Sequence, residues 1–219
     1  MDTDALIAEL ANDAGPVRRL PPAWKRTALW FALALPPVLL VVAVHGLDVG
    51  AGDLLADRRL LIEQAATLAT ALSAGLAAFA STVPGGNRKW FWLPLIPFAI
   101  WLFTVGKGCV EDWLSLGPNG LSLRFDGGCF LPMVLIGIVP TLSMVVMLRR
   151  GAPLSPRLTL VLGTLAIAAV VNFGLRLFHV GDVSIMILVW HFGLVVLLSA
   201  AACLAGPRVL PWRNSATHR

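Results

Sequence analysis

Charge is what this chain has least of. Asp, Glu, Lys and Arg make up 13% of its 219 residues, where a soluble domain carries about a quarter. So few charges cannot cover a globule in water, and a 58% hydrophobic composition excludes an intrinsically disordered chain. Three cysteines are too few for a disulfide-framework miniprotein. Tyrosine is absent altogether. Catalytic signatures are missing too: there is no Walker loop, GxGxxG, GxSxG or HExxH. What fills the space is Ala, Val, Leu and Ile, giving a mean hydropathy of +0.81. The composition is that of an integral membrane protein.

Six apolar stretches follow one another: Thr27 to Val44, Leu60 to Val83, Trp90 to Val105, Phe130 to Leu148, Leu158 to Phe178 and Ser184 to Ala205. A helix rising ~1.5 Å per residue needs ~20 residues to cross ~30 Å of hydrocarbon. The third stretch is the weakest, being short and holding Pro94 and Pro97, although Trp90 and Trp92 suit an interfacial start. Alternating segments of ~10 residues, which a membrane β-barrel requires, do not occur. The expected fold is an all-α membrane protein with six transmembrane helices. The first 14 residues carry Asp2, Asp4, Glu9 and Asp13, the opposite of the basic start of a signal peptide.

Orientation follows the cations. One side of a six-span chain collects Arg18, Arg19, Lys25, Arg26, Arg88, Lys89, Arg149, Arg150, Arg157, Arg208, Arg213 and Arg219. The other side has Arg58, Arg59, Lys107 and Arg124. This asymmetry predicts cytoplasmic termini, with residues 45–59, 106–129 and 179–183 outside. The chain then divides into a cytoplasmic N-terminal segment (1–26), a transmembrane domain (27–205) and a cytoplasmic tail (206–219). Segments this short rarely build a core of their own.

The N-terminal segment is patterned. Thr3 is placed to cap a helix over Asp4 to Ala14, with acids favoured in its first turn. Leu6, Ile7, Leu10 and Ala14 share one face, while Asp2, Asp4, Glu9 and Asp13 occupy the rest. A helix lying on lipid would want Lys and Arg on its polar face. An acidic one fits a basic protein partner instead, or else is a frayed tail with none. The stretch Pro16-Val17-Arg18-Arg19-Leu20-Pro21-Pro22 reads as an extended tether, anchored at the headgroups by Trp24, Lys25 and Arg26. In the second span, Ala65-Ala69-Ser73-Ala77-Ser81 and Ala66-Thr70-Ala74-Ala78-Thr82 form small-residue ridges. These suit close packing within the chain, or less readily a homo-oligomer face.

Cys109 and Cys129 bracket the Gly-rich outer loop. Joined, they would close it for roughly 3 kcal/mol; left free, they form a reversible thiol pair or soft metal ligands. Cys203 reads as an inert buried thiol. The last hairpin gathers polar groups: Asn172, Arg176 and His179 on one face, Asp182 in the turn, and Ser184 and His191 beyond. Ionisable residues within a span are expensive and invite a functional explanation. The local one pairs Arg176 and His179 with Asp182 and bonds His191 to Asn172, as a clamp. A metal or haem site at His45, His179 and His191 is the alternative.

Several of these segments together resemble one family. The run Asp4-Ala5-Leu6-Ile7-Ala8-Glu9-Leu10, the basic Pro-rich tether, Arg149-Arg150-Gly151-Ala152-Pro153, Val189-Trp190-His191 and Gly206-Pro207-Arg208 resemble the NrsF family, "negative regulator of sigma F", across essentially the whole chain. The resemblance implies a multi-pass bacterial inner-membrane anti-sigma factor. Its cytoplasmic N-terminal segment would hold an extracytoplasmic-function sigma factor through Asp4, Leu6, Ile7, Glu9, Leu10 and Asp13. Oxidative or heavy-metal stress would release that partner, with periplasmic cysteines linked to sensing. Cys129 matches one such position. Where the family pattern has a second cysteine after the histidine of the last outer hairpin, this chain has His179-Val180. Either Cys109 replaces that thiol or the sensing chemistry differs.

The resemblance implies no catalytic residue, no cofactor and no direct contact with nucleic acid. The protein's partners would be the sigma factor and the lipid bilayer. Two other classes compete. A quinone-linked thiol oxidoreductase would use Cys109 and Cys129, but such enzymes usually carry a Cys-X-X-Cys pair. A small transporter would show an inverted repeat, and none is visible between the first three stretches and the last three.

Overall fold

The computed structural model describes residues 2–13, 20–46, 57–83, 85, 88–117, 130–153, 155–177 and 193–210. Every element among them is helical. α1 spans Thr3–Asp13, α2 Ala23–His45 and α3 Arg58–Ala80. A 3-10 turn, Arg88–Trp92, leads into α4, Leu95–Leu116; α5 is Phe130–Arg149, α6 Pro156–Leu175 and α7 Gly193–Val209.

Local chemistry sets most of these limits. Asp57 caps α3, its Oδ1 accepting from the backbone N–H of Arg59 at 2.8 Å and of Leu60 at 3.3 Å, which satisfies donors the first turn leaves open. Pro156 opens α6, where its missing N–H costs nothing. α4 follows Pro94, takes Pro97 in its first turn where the missing N–H breaks no helical bond, and runs on to Gly117, whose φ of 58° ends the helix in the left-handed region open to glycine.

That run corrects one expectation. Residues 106–116 are the last three turns of α4, not the start of an outer loop, because nothing between Pro97 and Gly117 stops a helix. Five of the six expected spans are borne out. Five helices among the described residues are long and apolar enough to cross a membrane, over Ala23–His45, Arg58–Ala80, Lys89–Ser115, Leu131–Arg149 and Pro156–Leu175. The sixth expected stretch is helical over Gly193–Val209, 17 residues, or about 25 Å. The expected first half of that stretch lies outside the described residues.

α3 and α6 form the most extensive interface. α2 packs on α3 and α3 on α4; α5 packs on α6 and α6 on α7. The two trios meet through α2 against α5 and α3 against α6. This recurring order of contacts leaves no trace in the sequence, because packing partners constrain side-chain size and not identity.

The core lies where the two trios meet. Trp30, Ala34, Val38 and Val41 of α2 are buried along one stripe, against Ile136, Met144 and Leu148 of α5 and Ala166, Val170 and Leu175 of α6. The indole N–H of Trp30 donates to the carbonyl of Pro140 at 3.0 Å. The ridge Ala66-Thr70-Ala74-Ala78-Thr82 is buried throughout, bearing out its reading as a packing face. Of the other ridge, Ala65 and Ala69 are exposed and Ser73 half-buried.

Candidate functional site: an uncovered helix and two buried arginines

α1 starts one residue earlier than the capping pattern predicts. Asp2, not Thr3, precedes the first turn: the backbone N–H of Asp4 donates to Asp2 Oδ1 at 3.3 Å, and that of Leu6 to the Asp2 carbonyl at 3.1 Å. Aspartate accepts at a cap at least as well as threonine. The helix carries Asp4, Leu6, Ile7, Glu9, Leu10 and Asp13 as expected, and none of its residues is buried. Leu10 is 63% exposed and Ile7 59%. The apolar stripe that would bind a partner is therefore uncovered by the described residues of this chain.

At one end of the bundle an arginine holds three helices together. Arg26, expected at the lipid headgroups, is 5% exposed. Its Nη1 donates to Thr82 Oγ1 at 2.9 Å and to the Phe79 carbonyl at 3.4 Å, and its Nη2 donates to the Met147 carbonyl at 2.8 Å. The guanidinium also lies 4.7 Å from the centroid of the Phe79 ring. These carbonyls belong to the last turns of α3 and α5, where acceptors turn to groups beyond the helix and the helix dipole is negative; the Phe79 carbonyl also accepts from the Thr82 N–H at 3.3 Å and from Thr82 Oγ1 at 2.8 Å. A planar cation with five donors suits that position better than lysine would. Arg149 Nε donates to the Val209 carbonyl at 3.0 Å, bringing the end of α7 to the same end of the bundle as the start of α2.

Beside this clamp, at the α3–α6 interface, Ser81 Oγ and Thr159 Oγ1 lie 2.7 Å apart. The opposite end of α3 and α6 holds an ion pair. Arg176 Nε lies 3.2 Å from Glu63 Oε1, and Glu63 is 1% exposed. Arg176 thus has a carboxylate across the helix interface; the expected pairing with Asp182 lies outside the described residues. The sequence reading passed over Glu63, which sits in the second apolar stretch beside the equally buried Gln64. The signal was there: an acid inside a span demands a partner. Asn172 is buried near Arg176 on α6. His179, Asp182 and His191 lie outside the described residues, as does the proposed bond between His191 and Asn172.

Cys109 is half-buried on α4, beside a surface charge cluster. Glu111 pairs with Arg59 of α3 at 3.3 Å and with Lys107 at 3.4 Å. Cys129 lies outside the described residues, so pairing of the two cysteines is not among the observations. Cys203 is half-buried on α7. No group of three or more His, Cys, Asp and Glu suited to a metal occurs among the described residues.

Residues 10–212 match the profile of the NrsF family, described as "negative regulator of sigma F". The chain belongs to the NrsF family. No curated protein and no solved structure matches it. Within this NrsF chain the match takes in the five described helices long and apolar enough to cross a membrane, the buried Arg26 and Arg176, and Cys109. It opens at Leu10, so Leu10 and Asp13 fall inside it while Asp4, Leu6, Ile7 and Glu9 precede it.

Proposed function

We propose that this NrsF-family protein is a membrane-bound anti-sigma factor that sequesters an extracytoplasmic-function sigma factor on α1. The observation that carries the reading is the uncovered stripe Leu6-Ile7-Leu10 on an acidic helix. A few apolar anchors entering a groove provide most of the energy in such contacts. Asp4, Glu9 and Asp13 would face the basic residues with which a sigma factor meets DNA, so binding α1 and binding DNA would exclude each other. The excess of Lys and Arg on the side of the N-terminal segment supports a cytoplasmic position in a bacterial inner membrane. The protein acts by binding, with no turnover and no cofactor.

Release would start at the other end of the bundle. Cys109 lies on α4, which packs on α3, and α3 reaches Arg26 at the base of the tether. Oxidation of Cys109 and Cys129 to a disulfide by a peroxide, which takes up their two electrons and two protons and leaves as water, or capture of a heavy metal by them and His179, would shift α4 against α3 and loosen the tail.

Burying a leucine is worth about 1.5–3 kcal/mol. Leu10→Lys removes that gain and adds a charge to the contact, so sigma-factor binding is expected to fall by at least about tenfold. Membrane insertion should not change, since α1 has no buried residue. The test is co-purification of the sigma factor from membranes with the intact chain, with Leu10→Lys and with residues 1–20 deleted. Undiminished recovery with either variant would refute the assignment.

A further inference from the structure

We propose that the groove bounded by α2, α3 and α4 binds an anionic phospholipid, with one acyl chain lying along α3 and the headgroup at Lys25. The groove encloses about 600 Å³. Its floor is the partly exposed small-residue ridge of α3, where Ala69 and Ser73 leave depth between Leu72 and Leu76, and its far wall is Ile96 and Ile100 of α4.

The lining suits a hydrocarbon chain. The two hydroxyls that border it are already engaged with backbone: Ser73 Oγ donates to the Ala69 carbonyl at 2.6 Å and Thr27 Oγ1 to the Ala23 carbonyl at 3.0 Å. An apolar occupant therefore strands no donor.

The end of the groove near the start of α2 is built differently. Trp24 lines it and is exposed, and Lys25 Nζ sits 5.4 Å from the centroid of the Trp24 ring. Across the groove Leu93 follows Lys89-Trp90-Phe91-Trp92, with Lys89, Trp90 and Trp92 exposed. Trp and Lys together mark the headgroup level. No Asp or Glu occurs from residue 14 to 47 or from 64 to 110, the segments that form the groove. Its polar mouth is therefore cationic with no carboxylate of its own, which favours a phosphate that keeps a net negative charge over a zwitterionic headgroup. The occupant rests against Trp24, where the tether to α1 begins, so it would steady the base of the partner-binding segment.

The test is native mass spectrometry of the full chain in mild detergent with added phosphatidylglycerol or phosphatidylcholine. Preferential retention of phosphatidylglycerol is expected. Lys25→Gln should lower that retention about fivefold and leave phosphatidylcholine unchanged. Ala69→Leu, which fills the floor at an exposed position, should lower retention of both lipids. Independently of whether that variant folds, a phosphatidylglycerol with a diazirine in its acyl chain should label Leu72, Leu76, Ile96 or Ile100 of the unmodified protein. Equal retention of the two lipids, labelling confined to other helices, or a second copy of the chain in place of the lipid would each overturn the proposal.

Discussion

Replacing Glu63 by glutamine keeps the side-chain volume and deletes one charge, so it isolates the electrostatic part of the α3–α6 interface. Glu63 is 1% exposed and its Oε1 lies 3.2 Å from Arg176 Nε. The side chain of Arg176 is itself only 10% exposed, so water screens the pair little. Removing one member of a buried pair costs about 3–5 kcal/mol, chiefly because the other charge remains in a medium that cannot solvate it. Replacing both by apolar groups of similar size is often neutral or stabilising. Glu63→Gln is therefore expected to lower the folding free energy by about 3 kcal/mol or more, a factor of about 150 in the folding constant. The double variant Glu63→Met/Arg176→Met should recover most of that loss. Unfolding the parent, Glu63→Met, Arg176→Met and the double variant in mixed micelles by titration with sodium dodecyl sulfate, followed by tryptophan fluorescence, supplies the four free energies of a cycle, with Glu63→Gln measured beside them. A single variant as stable as the parent would refute the pairing. A double variant worse than Glu63→Gln would show that Arg176 draws its stability from a different neighbour.

Two further perturbations probe the opposite end of the bundle. Arg26→Gln removes a charged donor from Phe79, Thr82 and Met147; interhelical hydrogen bonds in membranes average about 0.6 kcal/mol and the ring contact adds about 1, so a loss of about 3 kcal/mol is expected in the same titration, and no loss would contradict the three-helix clamp. Gly151→Ala places a Cβ 2.5 Å from Thr82 Cβ, a clash that backbone on both sides cannot easily relieve, and should cost about 1–3 kcal/mol. Thr82→Ala in the Gly151→Ala background should not restore the parent's stability, because Thr82 Cβ remains and a partner of Arg26 is lost; full restoration would show that only the hydroxyl and methyl collide.

The fold was legible to the extent that it follows from the bilayer. Spans of ~20 apolar residues, the kinship of the whole chain and the acidic stripe of α1 could all be read along the chain, since each depends on neighbours within one or two turns. The ends were less legible. The end of α4 was misplaced because polar residues after Val105 look like a loop, although Lys107, Cys109 and Glu111 are all compatible with helix and Glu111 is held by Arg59 from another element.

Partnership between helices was not legible at all. Arg26 counts as a headgroup cation in sequence, and Glu63 as a blemish in an apolar run. Both are buried because α3 meets α6 along its length and the carbonyl ends of α3 and α5 converge on one point. Sequence alone determined that this chain carries stretches long and apolar enough to cross a membrane and that its first helix carries an apolar face with acids around it, because composition and periodicity are local properties. Only the tertiary arrangement decided that this face stays uncovered and which buried charges compensate one another. Those outcomes depend on distances between residues more than fifty positions apart.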